Sequence, residues 1–206
     1  MKIVSSRVDP LIKFAKGKKV LDIGCIGMGE EDTYGGKNWI HGKMAKIAKK
    51  VVGIDIQKKE IEKLREKGFD IRPQNAEEPF DLNEKFDIVM AEEVIEHLAD
   101  LKTFFTNVRR HLEDDGLLII TTPNPQAFEF FLQKLLFGRT LINPYHTHWQ
   151  NEVTLKYLLE SNGFELVDYF FIEEWANNLR GKVFQVLFFW LPQRFARTGA
   201  YIAKKK

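Results

Sequence analysis

The 206-residue chain has one cysteine, Cys25. An internal disulfide is therefore impossible, and no cysteine-based zinc site can be assembled. Charge of one sign is also lacking: 31 Lys and Arg face 29 Asp and Glu, for a formal net charge of +2. That excludes a globally basic field of the nucleic-acid-binding kind. Long apolar runs are missing as well. The longest, residues 186–191, is far short of the ~20 residues that span a bilayer. The opening MKIVSSRVDPLIKFAKGKK scatters charge among its apolar residues and lacks the continuous run and cleavage site of a signal peptide. A cytoplasmic, reducing setting is expected. There is no internal repeat and no low-complexity linker, and the length suits one domain over 1–206. Phenylalanine, by contrast, is abundant, with 17 residues in a chain that is 44% hydrophobic. Such a mixture can bury a core and is not that of a disordered segment.

Short apolar, branched runs alternate with helical stretches. Residues 19–23 (KVLDI), 51–56 (VVGIDI), 86–91 (FDIVMA) and 117–122 (LLIITT) read as strands, with a weaker one at 69–72. Their lack of polar alternation suits parallel strands buried on both faces. Between them, 37–50, 57–67 and 101–112 read as helices. Gly68 stops the second, and Asp100 caps the third, which ends before Asp114-Asp115-Gly116. This alternation predicts an α/β doubly wound sheet with right-handed crossovers. Beyond Pro123 the chain reads as a Phe-rich helix at 126–137, a loop, a helix at 152–161 and a strand at 164–171.

Two features point to a nucleotide-like cofactor. The first strand runs into Asp22-Ile23-Gly24-Cys25-Ile26-Gly27, and glycines at such a turn let backbone N–H groups approach a ligand. The next strand ends in Asp55, and a carboxylate there accepts both hydroxyls of a ribose. NAD and S-adenosylmethionine (SAM) fit these two features equally.

The order VLDIGC, VVGIDI, NAEEPF, FDIVMAEEVIEHL, DDGLLIITTPNP and a late GFEL strand resembles class I SAM-dependent methyltransferases over nearly the whole chain. The resemblance implies a seven-stranded, mostly parallel sheet with an antiparallel last strand. It implies that Asp55, with Ile56 beside it, binds ribose and that Asn75 and Ala76 lie beside adenine. The methionine part would lie at Asp22, Gly24, Cys25 and Gly27 and near Glu92. The chain departs from the family's glycine pattern at Ile26. It also carries a long acidic loop at 29–36, which reads either as a lid over the methionine end or as a solvated loop.

The fourth strand runs into Glu92-Glu93-Val94-Ile95-Glu96-His97. A helical turn starting near Glu93 would put Glu93, Glu96 and His97 on one face, a half-site for a divalent cation such as Mg²⁺. His146 or His148 would complete it, and the spacing does not choose between them. The same turn also reads as a metal-free general base at His97, or as a purely structural one; beside a bound cation, Glu93 or His146 could take the proton. EVIEH followed by a later histidine is similar to two metal-assisted groups, the ubiquinone-biosynthesis O-methyltransferases and the small-RNA 2′-O-methyltransferases. Both imply Glu93, Glu96, His97 and one later histidine as ligands.

The acceptor region is the insertion 123–150, whose aromatics either pack on both sides or line an apolar pocket. The segment 182–191 reads as a helix or as a strand hairpin; the helix is preferred because 199–203 then supplies the final strand that the family resemblance implies. The tail beyond Glu174 is acid-free and basic, which suits weak contact with a membrane surface or RNA, or a solvated end. The expected activity is methyl transfer from SAM, leaving S-adenosylhomocysteine, to a hydroxyl of an apolar, lipid-linked or sugar-type small molecule. RNA ribose methylation and a non-catalytic SAM-binding protein are the rivals.

Overall fold

The branched runs form the centre of a sheet, as β2 (Lys19–Ile23), β3 (Lys50–Asp55), β5 (Phe86–Glu92) and β6 (Leu112–Pro123). Around them lie β1 (Ile3–Val4), β4 (Ile71–Pro73), β7 (Phe164–Ile172) and β8 (Thr198–Lys205). These coordinates are a computed structural model describing residues 3–4, 8–27, 34–140, 143–173 and 192–206. The strand order is β1-β7-β8-β6-β5-β2-β3-β4, with β8 antiparallel to both neighbours and every other pairing parallel. Seven of these strands are the expected mixed sheet. The eighth, β1, is a two-residue addition that pairs with β7 at the edge.

The helices are α1 (Val8–Ala15), α2 (Ile40–Met44), α3 (Lys58–Glu66), α4 (Leu101–His111), α5 (Phe128–Phe137) and α6 (Glu152–Ser161). Strand alternation sorts the core. Val89, Ala91, Leu118 and Ile120 pack with Phe104, Phe105 and Val108 of α4 and Leu155 and Leu159 of α6. Ile88, Met90 and Ile119 face the opposite way, onto Leu11 of α1 and Met44 of α2. Each such fully buried Val, Leu, Ile, Phe or Met side chain contributes about 1.5–3 kcal/mol over leaving it exposed. Among the described residues no helix is long and apolar enough to cross a membrane.

Four expectations are corrected. The helix at 37–50 shrinks to the five residues of α2, because turns fill 45–49 and bring the Lys49 N–H onto the Lys18 carbonyl, 2.9 Å away, where β3 begins. The strand read at 117–122 starts earlier, at Leu112, and so takes in the stretch Asp114-Asp115-Gly116. That stretch bulges inside β6, between the pairings Phe86–Leu112 and Ile88–Leu117. α5 does not pack on both sides: none of its residues is buried, and Phe131, Leu135, Leu136 and Phe137 are 61–69% exposed. Finally, Glu93 adopts φ 50°, so the turn after β5 is a short 3₁₀ helix at Ile95–His97, not an α-helical turn from Glu93. The helix expected at 182–191 and most of the acidic loop at 29–36 lie outside the described residues.

Candidate active site and metal centre

β2, β3 and β5 end at the same carboxyl edge of the sheet, where doubly wound folds bind ligands. A cavity of about 520 Å³ opens there. Asp22, Gly24, Cys25, Gly27, Asp55, Ile56, Asn75, Ala76 and Glu92, all singled out from the sequence, line it. Glu93, Glu96, His97 and His146 line the same cavity, so the cofactor-type turns and the acid–imidazole turn share one space. His148 does not line it.

The glycine turn follows from local backbone demands. Gly24 takes φ 72° and Gly27 takes φ 76°, the left-handed region that glycine enters without penalty. At Gly24 a Cβ would come within 2.6 Å of Val94 Cγ2, so the turns after β2 and β5 touch here. Asp55 is fixed from both sides, as its carboxylate accepts the Ile26 and Gln57 backbone N–H groups, both at 3.1 Å. Each oxygen keeps a second lone pair for a ligand hydroxyl.

At the other end, Glu96 is 1% exposed. Its Oε2 accepts from the Thr122 hydroxyl at 3.1 Å, and its Oε1 is buried with no hydrogen-bond partner. Burial first, and the charge of Glu93 second, push the Glu96 carboxyl up to about 8. One donor atom each from Glu96, His97 and His146 falls within 4.8 Å of the other two. The His97 and His146 rings stand edge to face, centroids 4.7 Å apart. His146 Nδ1 is also buried without a partner, and burial together with His97 holds this imidazole below its ordinary value. Two imidazoles and a carboxylate, with a buried oxygen otherwise unsatisfied, suit a divalent cation. Of the sequence-derived ligands, Glu93 lines the cavity but stands outside this three-residue group, and His148 stands outside it as well.

Sequence reasoning missed several lining residues. His41 bonds Asp22, with Nδ1 to Oδ2 at 2.9 Å, and Trp39 Nε1 donates to the Cys25 carbonyl at 2.8 Å. Both residues lie in the stretch read simply as a helix face. Asn143 and Tyr145 join from the insertion, where Tyr145 is 73% exposed while lining the cavity. The signal that could have found His41 is Gly53, a glycine inside a strand, which marks close approach by another group.

Comparison with known proteins places the chain in a family. The family profile described as a methyltransferase domain matches residues 3–169. A Mycolicibacterium smegmatis protein bearing the name probable S-adenosylmethionine-dependent methyltransferase is 32% identical over 155 residues, 74% of this chain and 54% of its own length. The bovine mitochondrial ubiquinone biosynthesis O-methyltransferase is 31% identical over 166 residues, 73% of this chain and 42% of its own. The chain thus spans about half the length of the curated relatives it matches. Among solved structures, an Archaeoglobus fulgidus SAM-dependent methyltransferase superposes with TM-score 0.65 at 24% identity, covering 97% of this chain and 91% of its own. Magnesium protoporphyrin IX methyltransferase from Synechocystis, solved with bound S-adenosylhomocysteine, shares the fold with TM-score 0.61 at 16% identity, covering 97% and 82%. The chain belongs to the methyltransferase domain family, in its S-adenosylmethionine-dependent, Rossmann-like class.

Proposed function

We propose that this domain transfers the methyl group of SAM to a hydroxyl oxygen of a small apolar, lipid-linked or sugar-type acceptor, assisted by a divalent cation. The observation that carries the reading is the buried, unsatisfied Glu96 Oε1 beside His97 and His146, in the cavity that also holds Asp22 and Asp55. In this reading Asp55 and Ile56 take the ribose, Asn75 and Ala76 the adenine, and the turn at Asp22–Gly27 with Glu92 the methionine part. Glu96, His97 and His146 hold the cation, with Glu93 beside them.

Methyl transfer is an in-line displacement: an oxygen lone pair forms the new C–O bond as the C–S bond breaks and a neutral thioether leaves. A cation bound at the site supplies a lower hydroxyl pKa and a fixed oxygen. The chain's own groups do the rest. Glu96, His97 and His146 orient the acceptor end, Asp55 anchors the cofactor end, and the Glu93 carboxylate accepts the hydroxyl proton. The ubiquinone biosynthesis O-methyltransferases among the relatives support oxygen as the acceptor atom. The exposed Tyr145 at the cavity supports an apolar or ring-shaped acceptor.

The test is transfer of labelled methyl from SAM to catechol-type phenols, glycolipids and short RNA, before and after excess chelator. Loss of activity on chelation, recovery with Mg²⁺, Mn²⁺ or Co²⁺, and label on a small-molecule oxygen are expected. Full activity after chelation removes the cation. Label found only on nitrogen removes the hydroxyl, and label found only on RNA ribose transfers the reading to RNA.

A further inference from the structure

The segment carrying α2 is tied to the cavity by a buried polar pair whose histidine has no part in the proposed reaction. His41 Nδ1 lies 2.9 Å from Asp22 Oδ2, and the two side chains are 1% and 5% exposed. The imidazole is walled by Trp39, ring centroids 5.5 Å apart, and by Phe69, 5.9 Å apart. β3 makes room for it: a Cβ on Gly53 would come within 2.8 Å of His41 Cε1 and 2.5 Å of Cys25 Sγ. Four separate pieces of chain converge on one imidazole and one carboxylate, and both residues line the cavity.

Burying such a pair costs desolvation that an apolar filler would not, so packing alone gives no reason for it. The electrostatics supply one. Burial pushes the Asp22 carboxyl above its ordinary value and Asp55 adds to this, while the hydrogen bond and charge of His41 act the other way. A carboxylate facing a cationic ligand must be both charged and correctly aimed to attract it.

We infer that His41 is a positioning residue for the cofactor: its imidazole N–H aims the Asp22 carboxylate at the methionine part of SAM. The inference rests on the cofactor placement proposed above. His41 does not act on the reacting atoms; it acts through Asp22.

Calorimetric titration of the full chain with SAM tests it. His41→Ala is expected to weaken binding roughly tenfold or more, the scale of a lost hydrogen bond to a charged group. His41→Asn, whose amide nitrogen stands near the place of Nδ1, should stay within about threefold of the unaltered chain, whereas His41→Gln, with its amide one bond farther out, should follow the alanine variant. In an Asp22→Asn background, His41→Ala should cost less than about threefold, because the group it acts through has lost its charge. Equal losses in both backgrounds, or an alanine variant with unchanged affinity, overturn the inference. Where the alanine variant does not fold, the asparagine–glutamine contrast decides, and equal affinities overturn it. Failure of the unaltered chain to bind SAM, or an Asp22→Asn variant of unchanged affinity, defeats the cofactor placement itself.

Discussion

Thr147 is bound twice to the carbonyl of Glu96, through its backbone N–H at 2.7 Å and its hydroxyl at 3.2 Å. The same hydroxyl reaches the Leu98 carbonyl at 3.2 Å. These bonds join the insertion to the 3₁₀ turn after β5, and they seat His146 against His97 while His148 falls outside the group. Titration with Mn²⁺ should therefore separate the two histidines. Partners that merely support a metal ligand are worth about 10–100-fold in affinity. His146→Ala should lose at least roughly that much, and His148→Ala should stay within about twofold of the unaltered chain.

The raised Glu96 carboxyl makes stability depend on pH when no metal is present. Its unfolded value lies near 4.5 and its folded value near 8, so between these the folded state holds a proton that the unfolded state has released. Stability should fall as pH rises through that window, at a slope of at most about 1.4 kcal/mol per pH unit. Urea unfolding in chelator at several pH values checks this, and Glu96→Gln, which cannot ionise, should flatten the dependence. Added divalent metal should stabilise the protein most at the alkaline end, where Glu96 is ionised.

Asp55 serves two masters, its two backbone bonds and its ligand lone pairs. Asp55→Ala should weaken SAM binding by about 1–3 kcal/mol and also release the Ile26 and Gln57 amides, lowering the melting temperature. Asp55→Asn keeps one acceptor oxygen and should lie between. An alanine variant with unchanged affinity, measured by calorimetry, would contradict the ribose placement.

Gly24→Ala should destabilise the chain by about 1–3 kcal/mol, since it combines a left-handed φ with a 2.6 Å approach to Val94 Cγ2. Adding Val94→Ala relieves the clash but not the backbone conformation, so it should restore only part of the loss in urea unfolding.

Much of the cofactor half was legible because it is local. Residues 19–23 and 51–55 are branched and apolar whatever surrounds them, and each is followed by the chemistry of its own turn. The cap at Asp100 was legible for the same reason: it accepts the Thr103 N–H at 3.0 Å, a bond within one helical turn. The misreadings share the opposite cause. The stretch 37–50 has helical spacing, but its chain is used to reach the Cys25 carbonyl and Asp22, contacts that periodicity does not encode. Glu93 was placed on a helical face, but its backbone N–H binds the Thr121 carbonyl across the sheet edge, with φ 50°, and this turns the chain out of an α-helix.

By itself the sequence determined the strand and helix order, the glycine turn, the acid ending β3 and the presence of two carboxylates and one imidazole after β5. Each of these depends on neighbours within a few residues. Only the tertiary structure decided that Glu96 and His97, not Glu93, join a later histidine, and that this histidine is His146. That choice depends on Thr147 meeting the Glu96 carbonyl across 51 positions of chain. Spacing could not choose between two histidines a residue apart, because a loop's register is set by the hydrogen bonds that receive it.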